Sequence, residues 1–315
     1  MKLGIVGTGM IAKDLLSAKI SVIDPVAILS TKRSQAIATE LANEYGIKQT
    51  YVDYDEFLQD PNIDVVYLGI PNNLHYEYAK KALEAKKHVI CEKPFVDTVD
   101  ELIELKTLAD KNDVYLLEAI TNIHLEGYNL IKKHLPSLGR IHLVNMNYLH
   151  YSSRYDAFKA GDTPTAFDPA KNGGCLNDLG IYPIHLLAAL FGMPEKIKYQ
   201  ANMERGIDLS GLLTLTYSDL LVNVAISKAS RSKNHSVISG ENGYIDISGT
   251  LNELDEIKIV LPDQIINWQA NCHRMVAEFN DFDAILNEQN KKAVDELYQE
   301  SLTALKILTT AKASR

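Results

Sequence analysis

The chain has 315 residues, 46% hydrophobic and 23% charged, a soluble globular composition at a length that fits two domains better than one. Its formal net charge of -9 excludes a broad nucleic-acid surface, which needs clustered excess Lys and Arg, and favours a small-molecule partner. Three cysteines, Cys91, Cys175 and Cys272, are odd in number, far apart and without ligand spacing, so neither a disulfide framework nor a metal is expected.

No apolar run approaches the roughly 20 residues of a membrane span. The N-terminus "MKLGIVGTGM" enters a Gly-rich turn without a signal-peptide segment, so a cytoplasmic location is expected.

Over residues 1–120 short β-branched runs alternate with helical patterns. "KLGIVG" precedes a helix from about Met10, "VAILS" precedes Ser34 to Tyr45, and "VVYLGI" precedes Leu74 to Ala85. "HVICEK" is followed by Thr98 to Ala109, and "VYLLEA" closes the series. Runs apolar on successive residues suit strands covered on both faces, which predicts an α/β domain with a doubly wound parallel sheet.

After Gly139 the rhythm changes to longer, often alternating runs separated by turn residues: "RIHLVNMNYLHY", "IKYQANME", "GLLTLTYS", "LLVNVAISKA", "HSVISG", "YIDISG" and "IKIVL". They predict an α+β domain over residues 121–315 with a large, mostly antiparallel open sheet. One helix is expected after "KNGGCLNDLG" and two at the end, about Gln269 to Leu286 and Ala293 to Ala311, as candidates to pack back on the first domain.

"LGIVGTGMIA" contains Gly7-Thr8-Gly9-Met10-Ile11-Ala12, a G-x-G-x-x-A pattern that follows a strand and opens a helix. Gly7 makes the tight turn, Gly9 lets backbone N–H groups approach a pyrophosphate, and Ala12 permits close helix–strand packing. Met10 and Ile11 begin the helix whose N-terminus faces the anion. A dinucleotide site follows.

An NAD-preferring fold places an acid about 20 residues further on, at the end of the second strand. Here that end reads Ser30-Thr31-Lys32-Arg33, with no carboxylate between Pro25 and Thr39. Hydroxyls and cations suit a 2'-phosphate. NADP is therefore expected, with NAD as the alternative.

At the carboxyl edge of the fourth strand lie Pro71, Asn72, Asn73 and His75. Pro71 is read as a cofactor contact, Asn72 and His75 as cofactor contacts or caps of the next helix, and Asn73 as a cap. The fifth strand ends at the same edge, so Glu92 and Lys93 emerge beside the nicotinamide end of a bound dinucleotide instead of being buried in sheet. Pro94 ends the strand and is a candidate for a preceding cis peptide.

With these residues in place, the chain resembles the Gfo/Idh/MocA family, the group of glucose-fructose oxidoreductase, inositol dehydrogenase and rhizopine catabolism. The resemblance rests on "GIVGTGMIA", "PNNLHYEYA", "CEKPF", "LLEA" and "GGCLNDLGIYPIHLLAALFGMP", in family order across almost the whole length. It implies that Lys93 lies between nicotinamide and substrate, with Glu92 near the cofactor. The family also carries an Asp followed four residues later by His or Tyr, which falls on Asp178 and Tyr182, and the resemblance implies substrate contacts at these two, at Asn177 beside them and at Lys93. This chain is similar to the tyrosine-bearing members, including dimeric dihydrodiol dehydrogenase.

From the residues alone, Asp178 and Tyr182 share a helix face at i and i+4, or are a cap and a core aromatic. One departure concerns Asn122 and Leu125, where many relatives carry an Arg and a Pro. Contacts of that arginine do not carry over.

The resemblance implies an NADP-dependent dehydrogenase or reductase of a sugar, polyol or other cyclic alcohol. Lys93 and Tyr182 would exchange the proton and Asp178 would orient the substrate or tune Lys93. The pocket candidates Tyr151 and Tyr155, with Arg154, lie in "HYSSRYDAFKAGDTPTAFD". A homodimer or homotetramer through the second sheet is implied. The rival classes are a glycoside hydrolase that uses a tightly held dinucleotide, and a non-catalytic dinucleotide sensor.

Overall fold

In the computed structural model, which describes all residues Met1–Arg315, the chain divides into two units. The first is Met1–Ala119 with Met275–Gln299, and the second is Ile120–Arg274 with Glu300–Arg315. The closing helices are therefore shared between the two units.

The first unit alternates β1 (Lys2–Val6), α1 (Met10–Ser17), β2 (Asp24–Leu29), α2 (Gln35–Tyr45), β3 (Gln49–Tyr51), α3 (Tyr54–Gln59), β4 (Val65–Leu68), α4 (His75–Glu84), β5 (His88–Glu92), α5 (Val99–Asn112) and β6 (Leu116–Ala119). All strand pairs are parallel, in the order β3-β2-β1-β4-β5-β6. The order reverses between β1 and β4, the crossing at which such sheets bind ligands beyond their carboxyl ends. Apart from the edge strand β3, the strands are buried except at their first one or two residues, as expected for a sheet covered on both faces.

Local signals set several boundaries. Thr98 and Glu101 form a reciprocal capping box at α5, an arrangement that contributes about 1 kcal/mol. Gly46 ends α2 in the left-handed region at φ 72°. Asn73 does not cap α4; a 3-10 turn, Asn72–Leu74, leads into the helix without a side-chain cap. The short β3 and α3 are half-exposed and fall between the stronger runs, which is why the pattern of apolar runs does not mark them.

In the second unit α6 (Glu126–His134) comes first, then β7 (Ile141–Leu149), α7 (Tyr155–Lys159) and α8 (Ile181–Phe191). Seven strands follow: β8 (Lys196–Glu204), β9 (Ile207–Thr216), β10 (Leu221–Ser227), β11 (His235–Gly240), β12 (Gly243–Ser248), β13 (Glu256–Leu261) and β14 (Gln264–Gln269). The eight-stranded sheet runs β14-β13-β12-β11-β7-β10-β9-β8, antiparallel except where β10 pairs with β7. Alternation is visible throughout: Val144 and Met146, Val222 and Val224, and Ile245 and Ile247 are buried on one face.

Two sequence expectations are corrected here. "QIINWQ" is the edge strand β14, paired with β13 from Leu261 opposite Gln264, so the helix expected from Gln269 starts later, as α9 (Arg274–Asn287), before α10 (Lys291–Ala313). The helix α6 was also unmarked. Its Gly127 allows close approach to the sheet: an added Cβ would lie 2.8 Å from Ile257 and 3.0 Å from Trp268.

Within the first unit, Met275, Phe279, Phe282 and Val294 join the core formed by β1, β2 and α1. Phe279 packs its ring 5.8 Å from that of Tyr67 on β4. The stretch Pro169–Phe191 is apolar and long enough to cross a membrane by length and composition, but 72% of it is buried within the protein, the signature of a core helix.

Candidate active site

At the carboxyl edge of the first sheet, three backbone turns converge. Gly7 adopts φ 109°, where a side chain is strained, and an added Cβ there would strike the carbonyl of Gly69. The Gly7 amide donates to Leu29 O at 2.9 Å and the Gly69 amide to Val6 O at 3.0 Å, tying together the ends of β1, β2 and β4.

A pyrophosphate fits this edge. The first turn of α1 has no side-chain cap and no acidic residue, so its orphan N–H groups and positive dipole end are left for an anion. The space above Gly9 is open, and Met10 is 66% exposed beside it.

At the end of β2, Ser30 is buried with an Oγ that has no hydrogen-bond partner, while Lys32 and Arg33 stand exposed on a 3-10 turn capped by Thr31. A buried hydroxyl without a partner costs about 1–3 kcal/mol, which a ligand oxygen would recover. The residues present therefore fit a dinucleotide bearing a phosphate on the adenosine ribose.

The β5 end is held by a buried network. Tyr67 donates to Glu92 Oε1 at 2.6 Å, so Glu92 is buried and paired at the strand end where the sequence reading had it emerge, and the Phe95 amide donates to Glu118 Oε1 at 3.0 Å. The Lys93–Pro94 peptide is cis. His75 lies with its Nδ1 2.9 Å from Pro94 O and its Nε2 3.0 Å from Ile70 O. It has no exposed surface, and burial pushes its pKa below the usual value. In its neutral form the ring has a single N–H to donate to one of these carbonyls, so His75 packs between the turn after β4 and the turn after β5, where the sequence reading had it as a cofactor contact or a helix cap. Lys93 emerges half-buried from the braced turn, with Pro71 and Asn72 half-buried on the neighbouring one.

In the second unit, "GGCLNDLG" forms a π-helical turn, Leu176–Gly180, ahead of α8. Such wide turns concentrate at functional sites. Asp178 sits in it and Tyr182 in the first turn of α8, so the spacing between them is not that of the regular α-helix expected. The turn is fixed at its start by Asp208 of β9, which is fully buried and accepts the Leu176 amide at 2.8 Å and the Tyr199 hydroxyl at 2.6 Å.

Asn177 is 4% exposed and donates to Asn172 O at 2.7 Å, so it packs inward where a substrate contact was expected. Asn122, fully buried, donates to Tyr182 O at 2.8 Å and supports the backbone of α8. The Tyr182 ring lies 5.9 Å from that of Tyr148, whose hydroxyl donates to Asn252 Oδ1 at 2.6 Å.

Tyr151 and Tyr155 are part of an aromatic and cationic cluster. Tyr155 stacks on Phe167 at 5.9 Å, and Tyr151 is bonded to Asp156 and Lys159 and covered by Arg231. Sequence reasoning missed Tyr67, Glu118, Asp208 and Lys228. Each was detectable as a polar side chain on an otherwise apolar strand or at its very end, where burial demands a partner.

A doubly wound sheet with an anion-accepting crossing, beside a lysine-bearing turn, defines a dinucleotide-dependent oxidoreductase. The profile of the Gfo/Idh/MocA "oxidoreductase family, NAD-binding Rossmann fold" matches residues 1–119, and that of the Gfo/Idh/MocA C-terminal domain matches residues 136–246. The chain belongs to the Gfo/Idh/MocA family of NAD(P)-dependent oxidoreductases.

Among its relatives, the chain is 31% identical to scyllo-inositol 2-dehydrogenase (NADP(+)) IolU of Bacillus subtilis (strain 168) over 316 aligned residues, 99% of this chain and 96% of that one. It is 30% identical to trans-1,2-dihydrobenzene-1,2-diol dehydrogenase of Danio rerio over 68% of this chain and 64% of the relative. Its fold is similar to that of a 3-ketoreductase from Actinomadura kijaniata in complex with NADP, with a TM-score of 0.82, 19% identity, and coverage of 100% and 97% of the two chains.

Proposed function

We propose that the chain is an NADP-dependent dehydrogenase or reductase acting on a secondary alcohol, or the matching ketone, of a cyclic polyol, sugar or diol. The observation that carries this reading is the braced Lys93 turn at the carboxyl edge of a dinucleotide-accepting sheet. A sensor has no use for a lysine on a turn fixed in this way, by the Phe95 amide on Glu118 and the Pro94 carbonyl at His75. Similarity over nearly the full length to an inositol dehydrogenase named for NADP supports the substrate class and the cofactor.

When bound, the nicotinamide supplies the hydride donor or acceptor. The protein's part is to bind, orient and handle the proton. Lys93 and Tyr182 hold or move the proton of the reacting hydroxyl, and the carboxylate of Asp178 accepts a hydrogen bond from the substrate and so aims it. Tyr151 and Tyr155 shape the pocket, and the protein acts in the cytoplasm on small molecules.

A panel of cyclic polyols, aldoses, anhydrosugars and diols, offered with NADP and NAD, tests this reading. Net formation of reduced nicotinamide is the expected result. Glycoside cleavage without net reduction would instead identify the dinucleotide-assisted hydrolase.

The NADP preference rests on Ser30, Thr31, Lys32 and Arg33. Replacing Lys32 and Arg33 together with Ala is expected to weaken NADPH binding about ten- to a hundredfold and leave NADH nearly unchanged, as measured by calorimetry. Equal affinities of the wild type for the two would overturn the preference.

The open face of the second sheet exposes Leu143, Leu212, Leu221, Tyr244 and Ile265. They stand among polar side chains on the same face, Asn145 opposite Asn223 and Asp246 opposite Lys258, and such a mixed face supports a homodimer or homotetramer. Sedimentation is expected to give an assembly of two or four chains, which Leu212→Glu with Ile265→Glu converts to monomer. A monomeric wild type would sink the assignment.

A further inference from the structure

Lys228, the residue after β10, is 2% exposed, an unusual place for an ammonium group. It donates to Asp178 Oδ2 at 2.7 Å and to Ala166 O at 2.9 Å, and it lies 4.6 Å from the centre of the Phe167 ring. Asp178 is 41% exposed. The pair is thus asymmetric: a buried cation holds one oxygen of a carboxylate that opens toward solvent.

The same Ala166 carbonyl accepts the Gly174 amide at 3.1 Å, just ahead of the π-helical turn. Tyr155 and Phe158 stack on Phe167. Lys228 therefore touches both the turn that carries Asp178 and the end of the loop that carries Tyr151 and Tyr155.

We propose that Lys228 is a positioning residue that keeps Asp178 ionised and aimed, and couples its orientation to the loop ending at Phe167. This rests on the reading above that Asp178 serves the reaction. A carboxylate beside a fixed ammonium is a hydrogen-bond acceptor, so Asp178 receives the substrate hydroxyl and is not the proton donor. That leaves proton exchange to Lys93 and Tyr182. A cation buried with one carboxylate and one carbonyl is costly for stability alone, because a well-packed apolar residue would fill the space at less cost.

The other ionisable groups around the pair are named by their elements. Cys175 precedes the turn, and burial raises its pKa. Asp208 of β9 is bonded to Tyr199 of β8 and lies near Arg315. Tyr182 is on α8.

The sign of the effect follows. An adjacent cation lowers a carboxyl pKa, so removing it raises the pKa of Asp178. In protein labelled with 13C at the aspartate carboxyl carbons, with Asp178→Asn to assign the signal, Lys228→Met is expected to move the Asp178 titration upward by about one unit or more. Lys228→Arg keeps it low, and Lys228→Gln, which retains hydrogen-bond donors without charge, raises it as Met does and serves if Met prevents folding.

With the best substrate of the polyol and sugar panel, the acid limb of kcat/KM is expected to shift by the same amount, with Arg restoring it. A loss of thermal stability with an unmoved Asp178 titration and acid limb would reduce Lys228 to a structural role and overturn the proposal. Wild-type turnover in Asp178→Asn would instead overturn the reading of Asp178, a separate result.

Discussion

Lys93→Met is expected to lose about a hundredfold or more in turnover while dinucleotide affinity and thermal unfolding stay near wild type. The reason lies in how the turn is built. Backbone atoms are among its fixed points, the Phe95 amide on Glu118 and the Pro94 and Phe95 carbonyls at His75, and these survive the substitution. Met nearly matches Lys in length and volume, so the change subtracts an ammonium group and little else.

The complementary change is Glu118→Leu. It leaves the Lys93 side chain intact but takes the partner from a buried N–H, which costs about 1–3 kcal/mol and loosens the turn. Steady-state kinetics, calorimetry with NADPH and a thermal melt separate the two. Lys93→Met should affect kcat alone, whereas Glu118→Leu should lower the melting temperature as well. Normal turnover in Lys93→Met would remove Lys93 from the mechanism.

Apart from β3, the first sheet could be read from the chain because each of its other strands is a continuous apolar run bounded by turn residues. Gly7 at φ 109° is the clearest case. The second sheet was legible by alternation, except at β14. There "QIINWQ" is an exposed edge in which only Ile266 and Trp268 turn inward, too few to fix a period.

The site was legible where chemistry sits on a motif and illegible where it depends on tertiary pairing. Lys93 and Asp178 could be found along the chain, but Lys228 is 50 residues from Asp178 and only folding brings its ammonium to 2.7 Å. His75 shows the opposite failure. Its residue type suggested a ligand contact or a cap, yet it is buried with the Pro94 and Ile70 carbonyls at its two nitrogens, between the two turns. Residue type alone cannot separate a polar side chain that meets a ligand from one that satisfies buried backbone, because both need the same hydrogen-bonding capacity.

Tyr182→Phe is expected to lower turnover steeply and to remove one limb of the pH profile. The substitution keeps the ring that packs 5.9 Å from Tyr148, and the hydrogen bond from Asn122 goes to the Tyr182 backbone carbonyl, so neither support of α8 is disturbed. Only the hydroxyl leaves. An unperturbed phenol titrates near about 10, a poor base at neutral pH unless a cation favours the phenolate. If Lys93 is that cation in the working enzyme, the two titrate as one coupled unit whose apparent pKa values belong to the pair. Both single variants should then lose the same limb, and the double variant should be little worse than either, because groups acting as a unit are not additive. A packing role for Tyr182 predicts instead near-normal kcat in Tyr182→Phe. A pure binding role predicts a raised KM with the profile unchanged. Either outcome would leave Lys93 as the sole proton carrier, and the two variants would then combine additively, since a residue that only binds shares no step with one that moves the proton.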